Sequence, residues 1–442
     1  MTIRMDEGAA ELLDTLHRAG YAAYVVGGCV RDSLLGLTPH DWDLCTSALP
    51  QQGMELFGEE KCIPTGLQHG TVTVKQGGGL YEITTFRTEG TYTDGRHPDE
   101  VHFVPDVRED LARRDFTINA MAYNEKEGLV DPFGGQADLQ SGILRAVGVP
   151  HQRFTEDALR ILRLYRFAAR FGFAIDPPTA QAAQELCAHL DCVSVERIEE
   201  ELAKLLSAPA PAAYLDEKIL GVVLPELSPE ALAAAKPVVD ACPAGEQALP
   251  VRLAALLLSL GEDGTRRALR RLRCSNACIE ETAVLVREVV SGVPGAFSSD
   301  TNRAIPSPAL LPAATGSHPS GRSSEKLPAR PPVSLNIYTR KLLGQYGLKT
   351  VQRLAALGTA LQPKYAADFA ALSELAERLD ADGVCCRVSQ LAVNGRDLMA
   401  AGVPAGPGIR KILEALLDGV IREEYPNERQ ALLAAVQQLA AS

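Results

Sequence analysis

The chain has 442 residues, a net charge of −12 and a pI of about 5.3. Hydrophobic residues make up 46% and charged residues 23%, as in soluble globular proteins, and the length calls for more than one core. There is no apolar run of transmembrane length, the first residues read as a charged amphipathic helix rather than a signal peptide, and the 10 cysteines form no C-x-x-C pair. A reduced, cytoplasmic protein with no membrane partner is expected, and nucleic-acid binding needs basic groups gathered on one face.

Residues 1–148 alternate helix and strand, and from 149 onward the pattern is almost wholly helical. The fold class expected is therefore α+β, an α/β head followed by all-helical modules. Ala23–Val26 reads as an apolar strand, Gly27-Gly28 as a turn and Val30–Leu35 as a short helix. A second strand is expected to carry Asp41-Trp42-Asp43. Alternate strand residues share a face, so both carboxylates point to one spot. Paired carboxylates suit Mg²⁺, which takes oxygen ligands and keeps positions open for substrate phosphates. Gly28 lets a phosphate approach the backbone, and Arg31 offers a fork of donors.

Further along, Gly70–Val74 and Tyr81–Phe86 read as strands joined by a hairpin at Gly77-Gly78-Gly79. Glu82 lies on the second of them and is a candidate third metal carboxylate. The polar stretch Arg87–Pro98 reads as a mobile loop, and Val101–Val104 as a short strand. Arg113–Ala122 is expected to open a helix, with Arg114 and Asn119 as polar groups on an apolar run. Asp131-Pro132-Phe133-Gly134-Gly135 reads as a hinge. Glu156–Phe171 reads as one amphipathic helix on which Asp157 and Arg160 share a face, with Arg163 and Arg166 continuing the stripe. Ser194 is expected to cap the next helix.

Residues 294–333 are rich in Pro, Ser, Ala and Gly, without a periodic apolar face, and read as a linker. The boundaries that follow are head 1–148, neck 149–206, body 207–293 and tail 334–442. Two basic candidates answer the charge question. Arg266, Arg267, Arg270, Arg271 and Arg273 put five arginines into eight residues, a spacing suited to phosphates. Gly406-Pro407-Gly408 opens a helix bearing Arg410 and Lys411, where free N–H groups suit a phosphate.

The order Gly27-Gly28-Cys29-Val30-Arg31-Asp32 then Asp41-x-Asp43, Arg113-Arg114-Asp115-Phe116-Thr117-Ile118-Asn119-Ala120, and Glu156-Asp157-x-x-Arg160-x-x-Arg163-x-x-Arg166-Phe167 resembles the class II tRNA nucleotidyltransferase and bacterial poly(A) polymerase group of polymerase-β-like enzymes. The resemblance implies a polymerase-β-like head. It implies addition of C, C and A to a tRNA 3′ end from CTP and ATP, with two Mg²⁺ held by Asp41 and Asp43. Gly28, Arg31, Arg114 and Asn119 would contact triphosphate and sugar. Asp157 and Arg160 would read the base, supported by Glu156 and followed by Arg163 and Arg166. The loop after Arg87 would serve the switch from C to A. The family's phosphohydrolase module would be degenerate, with Leu258 and Ser259 at its metal positions. The alternatives are a poly(A) polymerase, a CC- or A-adding specialist, and a non-catalytic RNA-binding protein.

An Asp–Arg pair has a definite base preference. Carboxylate only accepts and guanidinium only donates. Cytosine offers an amino group to Asp157 and N3/O2 to Arg160; adenine offers its amino group and N1. Uracil and guanine place a carbonyl oxygen against the carboxylate, and an unpaired buried acceptor costs about 1–3 kcal/mol.

Overall fold

The computed structural model describes residues 3–90, 100–291 and 334–439. The chain divides into two compact units, Met1–Pro225 and Glu226–Ser442. The first unit thus runs past the expected neck to Pro225. The expected linker, 294–333, lies outside the described residues.

In the first unit α1 (Glu7–Arg18) precedes β1 (Ala23–Val26), α2 (Gly28–Leu34), β2 (Leu44–Thr46) and α3 (Pro50–Phe57). Then come β3 (Cys62–Gly66), β4 (Thr71–Gln76) and β5 (Gly79–Thr85). The hairpin turn between β4 and β5 is Gly77-Gly78, with φ +56 and +86. Both residues are left-handed, which glycine adopts freely and which matches strand twist. Next are β6 (Arg87–Glu89), β7 (Val101–Phe103), α4 (Val107–Ala112), β8 (Ala122–Asn124) and β9 (Gly128–Val130).

The main sheet has the order β3-β4-β5-β2-β1-β8-β9. It is antiparallel except for β2 and β5, which run parallel with Leu44 opposite Ile83. β6 pairs with β7 as a separate ribbon, so the expected loop starts as a strand at Arg87; its residues 91–98 lie outside the described residues. Tyr24, Val26, Cys45, Phe86, Leu111 and Ala122 form one buried cluster on this sheet.

The head closes with α5 (Gly135–Ser141), and the neck follows as α6 (Pro150–Glu156), α7 (Leu159–Phe171), α8 (Pro177–Glu185) and α9 (Val195–Leu206). Asp131 accepts from the Gly135 and Gln136 N–H groups at 2.7 and 2.9 Å, capping α5. Thr117 in turn donates to Asp138 of α5 at 2.7 Å, so the expected hinge buttresses the Asp115–Asn119 segment. Ser194 stands before α9, yet its side chain makes no capping bond.

The second unit is helical throughout its described residues, from Pro229–Ala241 to Arg429–Leu439. Leu258 and Ser259 lie in a short 3-10 turn after the helix Leu249–Leu257. Among the described residues no helix is long and apolar enough to cross a membrane.

Candidate active site

The turn after β1 joins two glycines with different environments. Gly27 has φ +77 and ψ −121, a region open to glycine alone. A Cβ there would stand 2.8 Å from Nη1 of Arg114. Gly28 opens α2, and a Cβ there would find Nη2 of Arg31 at 3.6 Å and nothing nearer. Gly27 thus admits the Arg114 guanidinium, and Gly28 leaves space over the turn.

Asp41 and Asp43 lie in the segment before β2, not on a strand as expected. The reason is pairing: β1 and β5 begin their ladders with β2 only at Leu44. The Asp43 carbonyl still accepts from Val26 N–H at 2.9 Å, which ties the segment to β1. Asp41 is exposed and lies 3.0 Å from Nδ1 of His40. One step back in the parallel register from Leu44 and Ile83 sets Asp43 beside Glu82. Asp43 is exposed, yet partial loss of hydration raises its carboxyl above its ordinary value; Glu82 and Asp41 add to the rise and Arg114 opposes it.

These are hard oxygen donors whose mutual repulsion a cation would relieve, so the residues present fit a metal of the Mg²⁺ kind. Among the described residues no three such side chains are already drawn into a metal-binding cluster.

The Arg113–Ala122 stretch does not open a helix, as its pattern suggested. Arg113 ends α4, and Thr117–Asn119 is a single 3-10 turn. Arg114 lies 3.6 Å from the buried Asp110, and its buried Nε has no partner among the described residues. Asp115 accepts from Phe116 N–H at 2.8 Å and Asn119 Nδ2 at 3.1 Å. It also takes Nε and Nη2 of Arg163 at 2.9 and 2.6 Å. Burial alone would raise the Asp115 carboxyl, but Arg163 and Asn119 outweigh it and hold it well below the carboxylate range.

Arg31 also differs from its expected setting. It is buried, donates to Asp32 at 2.8 Å and Asn119 at 2.6 Å, and lies over Phe167 and Phe171. The structure gives its fork to protein acceptors, so it holds Asn119 in place.

The base-reading stretch is broken where one helix was expected. α6 ends at Glu156, Asp157 is extended with φ −142 and ψ 104, and α7 starts at Leu159. The Asp157 carboxylate takes the Leu159 N–H at 3.0 Å, a local bond that competes with helix continuation. Its other oxygen takes Arg197 of α9 at 2.8 Å. Arg160 is buried and points its Nη1 at Glu156 (2.7 Å) and the Arg153 carbonyl (3.1 Å). Its Nη2 donates to the Arg113 carbonyl at 3.1 Å. Of the five N–H groups of a guanidinium, Nε–H and one on Nη2 are left without a protein acceptor among the described residues.

Arg163 and Arg166 face inward. Arg163 is taken by Asp115, and Arg166 by Glu201 of α9 at 2.5 Å while lying over Phe167 at 3.9 Å. The stripe therefore fastens α7 to the head segment and to α9. Asp110, Asp115, Arg153, Arg197 and Glu201 complete this site, and sequence reasoning does not single them out. A signal exists only for Arg197 and Glu201, whose four-residue spacing puts them on one face of α9.

In the second unit the arginine-rich run ends its helix at Arg271, and Arg273 follows with φ +55. Arg266 is paired with Glu262 at 3.0 Å and with Glu280, and Arg271 is held two-pronged by Glu226 at 2.7 Å. Arg267 and Arg270 are exposed, and their guanidinium groups have no ion pair with a carboxylate among the described residues. Arg410 is exposed and pairs with Glu414 at 2.8 Å; Lys411 is exposed beside it.

The first unit thus joins a mixed sheet, with two aspartates just before β2 and a glycine turn after β1, to a helical neck. Residues 23–145 match the family described as "Poly A polymerase head domain", 172–230 that described as "Probable RNA and SrmB- binding site of polymerase A", and 337–436 that described as "tRNA nucleotidyltransferase domain 2 putative". The CCA-adding enzyme of Lactiplantibacillus plantarum is 36% identical over 436 residues, 97% of this chain and 95% of its own. That of Geobacillus stearothermophilus is 34% identical over 438 residues, 96% and 95% of the two chains. The crystal structure of the Bacillus stearothermophilus CCA-adding enzyme in complex with CTP superposes with a TM-score of 0.77 at 30% identity, covering 99% of this chain and 98% of that one. The chain belongs to the CCA-adding enzyme family, whose nucleotidyl transfer is metal-dependent.

Proposed function

We propose that the protein adds C, C and A to the 3′ end of tRNA from CTP and ATP, releases pyrophosphate, and selects each base with its own side chains, in the cytoplasm. The observation that carries the base-reading step is Arg160: three of its N–H groups are fixed by protein, a donor edge is left over, and its backbone N–H donates to the Asp157 carbonyl at 3.1 Å. Cytosine N3/O2 or adenine N1 fits that edge, and an amino group fits Asp157.

The 3′-hydroxyl attacks the α-phosphate, and pyrophosphate leaves. Mg²⁺ held by Asp41 and Asp43, with Glu82 beside them, would activate the hydroxyl and neutralise the leaving charge. The Gly27-Gly28 turn receives the triphosphate, and Arg114 supplies an unspent donor next to it. Asn119, fixed by Arg31 and Asp115, reaches the nucleotide from the other side. Most of the rate comes from positioning and charge complementarity. Arg267 and Arg270, with Arg410 and Lys411, are the surfaces offered to tRNA phosphates.

The test offers tRNA ending at the discriminator base with CTP, ATP, UTP and GTP, singly and together. Ordered C, C, A addition is expected, and Asp41→Ala abolishes every step while leaving the fold intact. Long A tails would make the chain a poly(A) polymerase, and arrest after two C additions a CC specialist. Normal CTP incorporation by Asp41→Ala refutes the metal assignment.

A further inference from the structure

We infer that Arg153 is a positioning residue for base selection, acting through Glu156 on Arg160; this rests on the reading of Arg160 as a base-contacting group. The Glu156 carboxylate lies between two guanidinium groups. One oxygen takes Nη2 of Arg153, and the other takes Nη1 of Arg160 at 2.7 Å. Arg153 is itself anchored to the head, its Nη1 donating to the Ala112 carbonyl at 3.0 Å. Arg160 donates to the next carbonyl, Arg113, at 3.1 Å. The two arginines thus take successive carbonyls at the end of α4, where a helix leaves its acceptors unsatisfied and favours positive charge. The Arg153 carbonyl takes a third bond from Arg160 at 3.1 Å.

The consequence lies in how a carboxylate shares its oxygens. Carboxylate and guanidinium prefer to meet two-pronged. With Arg153 in place, its charge-assisted bond draws one Glu156 oxygen toward α6 and away from Nη2 of Arg160, so Glu156 meets Arg160 through Nη1 alone. The edge made of Nε–H and the second Nη2–H is then left to the base. Without Arg153, the freed oxygen draws Arg160 into a two-pronged pair with Glu156. The guanidinium turns, and the donor edge leaves the position that distinguishes cytosine and adenine from uracil and guanine. Arg153 touches no part of the nucleotide in this scheme, so its effect falls on discrimination rather than on the transfer step itself.

The experiment measures kcat/KM for CTP and UTP separately on tRNA ending at the discriminator base, for the parent, Arg153→Met, Arg153→Lys and Arg160→Ala. Thermal melting of each variant confirms that the fold is kept. Arg153→Met is expected to lower the CTP-to-UTP ratio about tenfold, which corresponds to roughly 1.4 kcal/mol of lost discrimination. Arg153→Lys, which keeps a cation on Glu156, is expected to recover most of the ratio. A uniform fall for both nucleotides in Arg153→Met, with the ratio unchanged, overturns the inference and leaves Arg153 a structural clamp. If Arg160→Ala also leaves the ratio unchanged, base reading by Arg160 is itself wrong and the inference falls with it. A lowered ratio in Arg160→Ala but not in Arg153→Met rejects Arg153 alone.

Discussion

Replacing Gly27 by alanine tests the turn and the site together. Its backbone, φ +77 and ψ −121, lies where a side chain is strained by about 1–3 kcal/mol. The new Cβ would also press on Nη1 of Arg114 at 2.8 Å. That guanidinium is the end of a flexible chain, so it moves aside at little cost in stability but leaves the turn it serves. Melting of the first unit should fall by about 2–12 °C, given about 2–4 °C per kcal/mol for a unit of this size. Loss of a charge-assisted bond to phosphate is worth about 1.5–3 kcal/mol, so kcat/KM for CTP should drop roughly ten- to a hundredfold. Gly28→Ala is the internal control. Its φ is ordinary and its nearest neighbour lies at 3.6 Å, so melting should be unchanged while the KM for CTP rises. Calorimetry and steady-state CTP incorporation read both. A Gly27→Ala protein that melts with the parent and uses CTP as well would refute the argument.

Asp115→Asn breaks a buried pair and should cost about 3 kcal/mol at neutral pH. The folded Asp115 carboxyl lies below its unfolded value of about 3.9. Its stabilisation is therefore complete above about pH 4 and is lost as pH falls through the depressed folded value. The stability gap between parent and Asp115→Asn, followed by urea unfolding, should narrow only in that acid range, and a gap independent of pH contradicts the pairing. Arg267→Glu with Arg270→Glu should weaken tRNA binding and flatten its salt dependence by about one log unit per log unit of salt for each phosphate that the protein no longer neutralises. Unchanged affinity and slope would take that surface off the RNA path.

The parts of the site written in local chemistry were legible in the chain. Gly77-Gly78 announced the hairpin, and alternation marked β4 and β5. The acidic motif, the glycine turn and the Arg114 segment fall in one unit with Arg160, although Asp41 and Asp43 precede a strand rather than ride on it and the Arg114 segment turns as 3-10 rather than opening a helix. What periodicity could not show was competition. Apolar residues run on through Ala158, Leu159 and Ile161, so nothing in the spacing reveals that the Asp157 side chain stops one helix and starts another. Nor does a charge stripe tell which way it faces. Arg163 and Arg166 look like a solvated surface until Asp115 and Glu201, distant in the chain, are seen to receive them. The pairing of β2 with β5 is likewise non-local, and with it the approach of Glu82 to Asp43.

That parallel pairing gives the cleft an unexpected dependence. Successive strand residues alternate sides, so sliding β5 by a single position would substitute Tyr81 or Ile83 for the acid next to Asp43. The alignment of β5 is governed in part by the glycine bend just upstream, which has no chemical duty of its own. Inserting or deleting one residue there would carry the Glu82 carboxylate away from Asp43 without altering either acidic residue.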